Sequence, residues 1–315
     1  MKFGLNFLSK FVLILLALCI SALPVNAVAW SSVTILTTNN TPAVTEFVQH
    51  FRSALSESNA DIKLYQATNE HGLTVSIPQD TLVVAVGTQA LNYASNLDER
   101  TPVLGLLVPK LSYERILRDS GRKPRDFSAI YLDQPFDRQI SLLKKVFPNA
   151  KTISVILGPT SQFNSNDIQQ AAKRHQLSVN IQLIDKAEDI QSILNTSLSD
   201  KSPILAVPDA LVFNRETAQT FLLSSYRHRV PLVGFSQSYV NSGAIAATFS
   251  SPKQIGTEAA KLIGNLAFEE QTNLPAARFP KLFSIDFNQR VARALGIFIP
   301  NETTTVEAML KEEKE

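Results

Sequence analysis

The sequence predicts an α/β fold with two parallel sheets, each flanked by helices. Apolar runs of strand length alternate with segments of helical periodicity, and the alternation begins again near residue 152. Repeated strand–helix alternation produces a parallel sheet with helices on both faces. No Ser- or Gly-rich linker separates the two halves. The absence of a linker indicates two lobes that exchange segments across a stiff hinge, and it argues against two independent domains.

In the first half, short apolar runs predict four strands at 32–38, 61–67, 81–87 and 102–108. Helices are predicted between and after these strands at 43–55, 90–97 and 112–120. The first of these helices is favoured by apolar residues at helical spacing, among them Phe47 and Phe51. Residues 127–134 read as an extended connection to the second half.

The second half opens with a helix that begins at Pro135 and stops before Pro148. Strands are then predicted at 152–158, 178–184, 203–209, 230–236, 243–249 and 281–287. The intervening and following helices are predicted at 164–176, 187–198, 214–228, 251–270 and 288–295. Residues 301–315 are expected to form a peripheral polar tail.

Residues 1–27 have the features of a secretory signal peptide. Lys2 and Lys10 precede a short apolar run, which ends at a small-x-small cleavage pattern. Cleavage after Ala27 or after Ala29 fits equally well. The alternative is a membrane anchor, but the apolar run is short for a span of about 20 residues. We therefore expect an exported protein, located in a bacterial periplasm.

Charge and cysteine content narrow the function further. Loss of Lys2 and Lys10 leaves 28 basic residues against 28 acidic ones, so the exported chain is neutral. A neutral chain lacks the electrostatic footprint of a nucleic-acid-binding protein, and the basic stretch 118–125 reads as a solvated loop. The only cysteine is Cys19, inside the leader. Because Leu18 precedes it where a lipid-attachment signal has a small residue, we expect no lipoprotein.

Polar residues follow most predicted strands at the point where a helix begins. The candidate ligand-binding residues are Thr38, Gly87, Thr88, Gln89, Thr160, Ser161, Asp209, Ser236 and Ser238. Because carboxyl ends of parallel strands share one sheet edge, two facing edges would form a cleft for a small polar ligand with an anionic group. The alternative is that each polar residue only caps its helix. Gly87 would let a ligand approach the backbone, and Asp209 could pair with an ammonium group.

A serine hydrolase is the competing interpretation. Residues 234–238 nearly match a nucleophile elbow, but Ser238 stands where the second glycine is required. The last histidine, His228, precedes the serine instead of following it, and His50, His71 and His175 read as surface residues. No metal-ligand spacing or nucleotide-binding loop is present. We expect no catalytic residue, no metal and no cofactor.

Five stretches, taken in order, resemble the periplasmic ABC-transporter substrate-binding family that includes tryptophan- and tyrosine-type binding proteins. They are VAVGTQAL, FPNAKTISVILGPTS, ILAVPDALV, VPLVGFSQSYVNSGAIAATF and IDFNQRVARALGIFIP, and the resemblance spans roughly 30–300. It implies a type I periplasmic binding protein fold of two Rossmann-like lobes joined by three crossovers. Lobe 1 would comprise 30–128 plus 250–279, and lobe 2 would comprise 130–248 plus 281–300.

The resemblance also implies roles for single residues. Thr88 would hold a ligand carboxylate, and Asp209 would face its ammonium. The segment 108–112 departs from the family, because it carries no acid where members commonly have Asp-Pro. The ligand, an amino acid or an aromatic carboxylate, therefore stays open. Aromatic residues could stack on it or belong to the core, namely Phe213, Phe235 and Tyr239.

The resemblance gives the chain a membrane partner as well as a ligand. We expect a monomer that delivers a solute to an ABC permease or another inner-membrane protein. The alternative is an exported sensing module that signals to a membrane receptor, because a sensor would use the same cleft and the same closure.

Overall fold

The computed structural model describes residues 30–58, 62–68, 76–199, 201–214, 216–269 and 273–314. The predicted signal peptide and Cys19 lie outside these residues, as does His71. Within them, the strands form one sheet of five and one sheet of six. No helix in the described ranges is long and apolar enough to cross a membrane.

The first sheet is entirely parallel, with strand order β2-β1-β3-β4-β5. Its strands are β1 (Ser32–Thr37), β2 (Lys63–Thr68), β3 (Thr81–Val86), β4 (Val103–Val108) and β5 (Phe127–Tyr131). Its helices are α1 (Pro42–Ser56), α2 (Thr88–Ala94) and α3 (Lys110–Ser120). Every residue of β1 and β3 is buried, and β3 is apolar at every position after Thr81, as expected for a strand covered on both faces.

The second sheet has strand order β11-β10-β9-β8-β6-β7 and is parallel except for β11, which runs antiparallel to β10. Its strands are β6 (Thr152–Leu157), β7 (Ser178–Leu183), β8 (Ile204–Leu205), β9 (Leu232–Gly234), β10 (Ala246–Phe249) and β11 (Ser284–Phe287). Its helices are α4 (Phe136–Val146), α5 (Ser165–Arg174), α6 (Ile190–Ser199), α7 (Ala218–His228), α8 (Gln237–Ser242), α10 (Gln289–Leu295) and α11 (Glu302–Glu312).

The chain passes between the two sheets three times, through 132–135, 250–251 and 280–283. The remaining helix, α9 (Pro252–Phe268), follows a strand of the second sheet but packs against α1 beside the first. Gly256 allows this approach, since a Cβ there would lie 3.0 Å from the carbonyl oxygen of Phe47. The predicted fold of two α/β lobes with three crossovers is confirmed. We call the first sheet with α1–α3 and α9 the first lobe, and the rest the second lobe.

Two segments differ from expectation. Residues 127–131 form β5 and not merely an extended connection, because all five are buried beside β4. Residues 302–312, expected in a peripheral tail, form helix α11, which Asn301 caps. Thr305 and Met309 of this helix are buried, and Met309 joins the apolar core of the second lobe.

Candidate functional site

The carboxyl edge of the first sheet holds four candidate residues. Thr38 follows β1, and Gly87, Thr88 and Gln89 follow the adjacent strand β3. Thr38 and Thr88 are half-buried and Gln89 is exposed. No side chain caps the start of α2, so the backbone N–H groups of its first turn stay available. This edge presents hydroxyl, amide and backbone donors together.

Gly87 has a backbone conformation that other residues avoid. Its φ is 88° and its ψ is 162°, in a region that is essentially restricted to glycine. Its N–H donates to the carbonyl oxygen of Leu106 over 2.8 Å, which fixes the turn to β4. A Cβ at Gly87 would meet no atom within 4 Å, so the space beside this residue is open. The glycine is required by the backbone and also leaves room for a ligand.

We expect Gly87→Ala to lower the free energy of unfolding by about 1–3 kcal/mol, because alanine must adopt this conformation at a cost. Thermal unfolding measures the loss. Gly296→Ala is the matched control: Gly296 also has open space around it but has the milder left-handed conformation, with φ 70° and ψ 28°. An equal or larger loss in the control would contradict the strain assigned to Gly87.

Strand β4 has an irregularity beside this turn that the sequence did not reveal. Leu107 has a φ of 55°, and the pairing with β5 shifts between Leu106 and Val108. Such bulges re-aim the residues that follow, and strained residues cluster at functional sites. Leu107 packs against the core of the first lobe and is only half-buried, so it lies at the edge of that core.

An acid does lie at the start of α3, although the segment 108–112 contains none. Asp133, which follows β5, accepts a hydrogen bond of 2.5 Å from the backbone N–H of Lys110. Burial raises the pKa of Asp133, against the opposing effect of this hydrogen bond. The Lys110 side chain forms an ion pair of 3.0 Å with Glu114. Sequence reasoning missed Asp133 because it comes from the next strand along the chain.

In the second lobe, Asp209 joins two loops. Its Oδ2 accepts hydrogen bonds from the N–H and hydroxyl of Thr160 and from the N–H of Ser161, at 3.1, 2.7 and 2.8 Å. Its Oδ1 accepts from the N–H groups of Leu211 and Val212, at 2.7 and 3.0 Å. The structure therefore brings three predicted site residues into direct contact.

The surroundings of Asp209 are tightly closed. The residue is 6 % exposed, and a Cβ on Gly158 would lie 2.3 Å from its Oδ1. Burial alone would raise the pKa of Asp209, but the hydrogen bonds from the two loops outweigh it and hold the pKa below its ordinary value. That Asp209 faces a ligand ammonium stays a prediction. Since the chain's own donors occupy both carboxylate oxygens, we infer a structural role.

Ser236 and Ser238 lie at the start of α8. Ser236 is its N-cap and accepts from the N–H of Tyr239 over 3.3 Å, as the capping alternative predicted. Ser238 is exposed. The aromatic residues considered for stacking lie mostly in the core: Phe213 is 2 % and Tyr239 8 % exposed, with Phe235 half-buried beside them. Burial raises the pKa of Tyr239 to about 12.

Two histidines in the described part of the chain, His175 and His228, contact other groups than Ser236. His175 lies 3.7 Å from Asp137, and His228 contacts the carbonyl oxygen of Ser224. The elbow-like serine therefore has no histidine base in these contacts and serves as a helix cap. Among the described residues, no group of three His, Cys, Asp or Glu gathers where it could hold a metal ion.

Three solved structures from bacteria have folds similar to that of this chain. The ligand-free, open substrate binding protein with adhesive properties from Clostridium difficile has a TM-score of 0.70 and 16% identity, over 86% of this chain and 96% of that one. An ABC domain in complex with L-Trp from Streptococcus pneumonia has a TM-score of 0.60 and 16% identity, over 88% and 98%. A conserved domain protein from Vibrio cholerae has a TM-score of 0.58 and 17% identity, over 88% and 97%. At such low identities the likeness concerns the fold alone.

A search of curated proteins finds no match to the sequence. The family comparison is more specific. The model of the family described as ABC transporter substrate binding protein matches residues 32–310, which include both sheets and all three connections. The chain therefore belongs to the ABC transporter substrate binding protein family, and it is a solute-binding protein.

Proposed function

We propose that this solute-binding protein captures a small polar solute with an anionic group between its two lobes and delivers it to an ABC permease. The observation that carries the proposal is the Gly87–Thr88 turn. It lies at the carboxyl edge of a parallel sheet, where open α/β folds bind ligands. The open space beside Gly87 and the uncapped start of α2 supply hydrogen-bond donors without a steric obstacle.

The two lobes contribute differently in this proposal. The first lobe offers Thr88, Gln89 and Thr38, whose side chains are not buried. In the second lobe the hydroxyl of Thr160 donates to the carboxylate of Asp209. This hydrogen bond fixes the loops at the rim of the lobe, by which we mean the carboxyl edge of its sheet, and leaves neither group free for a ligand. Two exposed residues there could reach a solute, Ser238 and Phe163, of which Phe163 is 75% exposed. Because Asp209 is already hydrogen-bonded within the chain, it is not available to pair with an ammonium group. An aromatic carboxylate therefore fits this site better than a zwitterionic amino acid.

Closure would be a hinge movement that brings these rims together around the solute, and the closed form would be recognised by the membrane partner. Binding would be the entire activity, with no bond of the solute broken. We further propose that the protein acts as a monomer in the periplasm after removal of its leader. The lobe boundaries inferred from the resemblance, 30–128 plus 250–279 and 130–248 plus 281–300, belong to the same proposal, with the first boundary moved to residue 131, where β5 ends, and the second lobe extended through α11.

A thermal-shift screen of the purified protein tests the function. The panel contains L-tryptophan and other amino acids, small carboxylates and aromatic carboxylates. A ligand at 100 times its dissociation constant adds about 2.7 kcal/mol, so a true ligand should raise the unfolding temperature by roughly 5 °C.

Thr88→Ala should abolish this shift because it removes a hydroxyl at the proposed anion site. Thr303→Ala, at an exposed threonine of α11, should leave it unchanged. The proposed function fails if no member of the panel stabilises the protein. The assignment of Thr88 fails if both variants respond like the native chain.

A further inference from the structure

The three connections between the lobes are tied together by buried side chains. Gln134 lies in the first connection and donates from Nε2 to the hydroxyl of Ser250, in the second, over 2.9 Å. The hydroxyl of Ser250 donates in turn to the carbonyl oxygen of Leu282, in the third, over 2.5 Å. Gln134 is 5 % and Ser250 6 % exposed. Two consecutive hydrogen bonds, shielded from water, therefore join all three connections.

A buried arginine reinforces this arrangement from the second lobe. Arg138, in the first turn of α4, donates from Nη1 to Oε1 of Gln134 over 2.6 Å and to the carbonyl oxygen of Pro280 over 3.0 Å. The side chain of Gln134 thus has a partner for its oxygen in Arg138 and a partner for its nitrogen in Ser250. Because each group depends on the next, the bonds act as one network and not as separate contacts.

A glutamate holds the third connection from the first lobe. Glu258, on α9, accepts hydrogen bonds from the backbone N–H groups of Lys281 and Leu282, over 2.8 and 3.2 Å. The same carboxylate pairs with Arg278 over 3.0 Å. The third connection is therefore held by α9 on one side and by Arg138 on the other, with Ser250 between them.

We propose that Gln134 is a positioning residue for lobe closure, because it makes the three connections move as a single hinge. The proposal deepens the proposed function, since alignment of the rims matters only if the lobes close on a solute. With Gln134 in place, the lobes would rotate about one axis, and on closure their rims would meet in a single relative orientation. Without it, the connections would bend independently and the lobes would sample a wider range of relative orientations. Apparent affinity falls when fewer molecules are aligned for binding.

Distances between spin labels on the two lobes test this without any solute. The labels are placed at two exposed helical positions, Arg115→Cys on α3 and Gln170→Cys on α5. Because the only native cysteine is Cys19, in the proposed leader, Cys19→Ala leaves the two introduced cysteines as the only ones that react, whether or not the leader is removed. Double electron–electron resonance should show one narrow distance distribution for the chain with Gln134. Gln134→Ala should widen this distribution about twofold or more.

Gln139→Ala is the matched control. Gln139 is the same residue type and is also 5 % exposed, but its Nε2 donates only to the backbone oxygen of Gln134, within one segment. It should keep the narrow distribution, even if both variants unfold at similarly reduced temperatures. If Gln134→Ala does not fold by circular dichroism, Ser250→Ala replaces it, since that variant loses the same link between connections.

The hinge proposal is overturned if the variant keeps the native width, or if Gln139→Ala widens the distribution equally. Neither outcome affects the solute-binding proposal, because no solute is present in the measurement. Conversely, the thermal-shift screen could find no ligand while Gln134→Ala widens the distance distribution. That result would contradict the solute-binding proposal and support the hinge proposal.

Discussion

Replacing Asp209 by alanine is expected to lower the free energy of unfolding by about 3–5 kcal/mol. The substitution removes a buried carboxylate that accepts five hydrogen bonds from two loops. Four of the donors are backbone N–H groups, which alanine cannot satisfy, and charged acceptors contribute more than neutral ones. Chemical denaturation followed by circular dichroism measures the loss. Asp185→Ala, at an exposed acid of the same lobe, should change stability by less than about 0.5 kcal/mol.

The contribution of Asp209 should also depend on pH, with a defined sign. The pKa of this carboxyl is lower in the folded chain than its ordinary value, so the folded state binds the proton less readily than the unfolded one. The stabilisation is therefore complete above the unfolded pKa of about 4 and disappears as the pH falls through the folded pKa. The difference in stability between the native chain and Asp209→Asn should shrink on acidification below pH 4. A difference that stays constant there would contradict the structural role.

The second large effect is expected for Arg138→Met. Arg138 is 4 % exposed, forms a two-point ion pair with Glu313 at 2.5 and 2.8 Å, and lies 4.0 Å above the ring of Phe283. Methionine restores the apolar packing but leaves the buried oxygens of Gln134 and Pro280 without their donor. We expect a loss of about 2–4 kcal/mol in chemical denaturation.

The control for Arg138 is Arg174→Met. Arg174 also makes a two-point pair, with Asp137, but its side chain is 56% exposed. Exposed ion pairs contribute about 0–1 kcal/mol, so this variant should unfold almost like the native chain. Similar losses for both variants would mean that the burial of Arg138 adds nothing to its ion pair.

The sequence predicts the lobes well because the central strands carry a strong signal. Strands such as β3 are apolar at nearly every position, which indicates burial on both faces, and the helices between them are periodic. Helix α11 has a weaker signal. Only Thr305 and Met309, one turn apart, are fully buried, and Val306 packs against the core beside them. Leu310 is apolar but exposed, so the sequence shows no clean apolar stripe that would distinguish a docked helix from a solvated tail.

The site is harder to predict because its contacts join residues that are distant in the chain. Asp209 follows a strand end, which fits both a ligand contact and a cap, and only the fold shows that Thr160 and Ser161 lie against it. Asp133 reaches Lys110 in the same way, from a neighbouring strand. The role of Gly87 is easier to predict from the sequence, since a glycine between a buried strand and a helix already indicates a backbone conformation that other residues avoid.

The return of α9 to α1 has a consequence for biosynthesis. The first lobe needs residues 252–268 to cover the apolar face of α1, and the second sheet is complete only when β11 has been made. A growing chain therefore exposes part of each core until its last quarter leaves the ribosome. Contacts of such long range slow folding and leave unfinished chains prone to aggregation. Under the proposed export, a nascent chain that stays incompletely folded in this way could still pass through a translocation pore as an extended polypeptide.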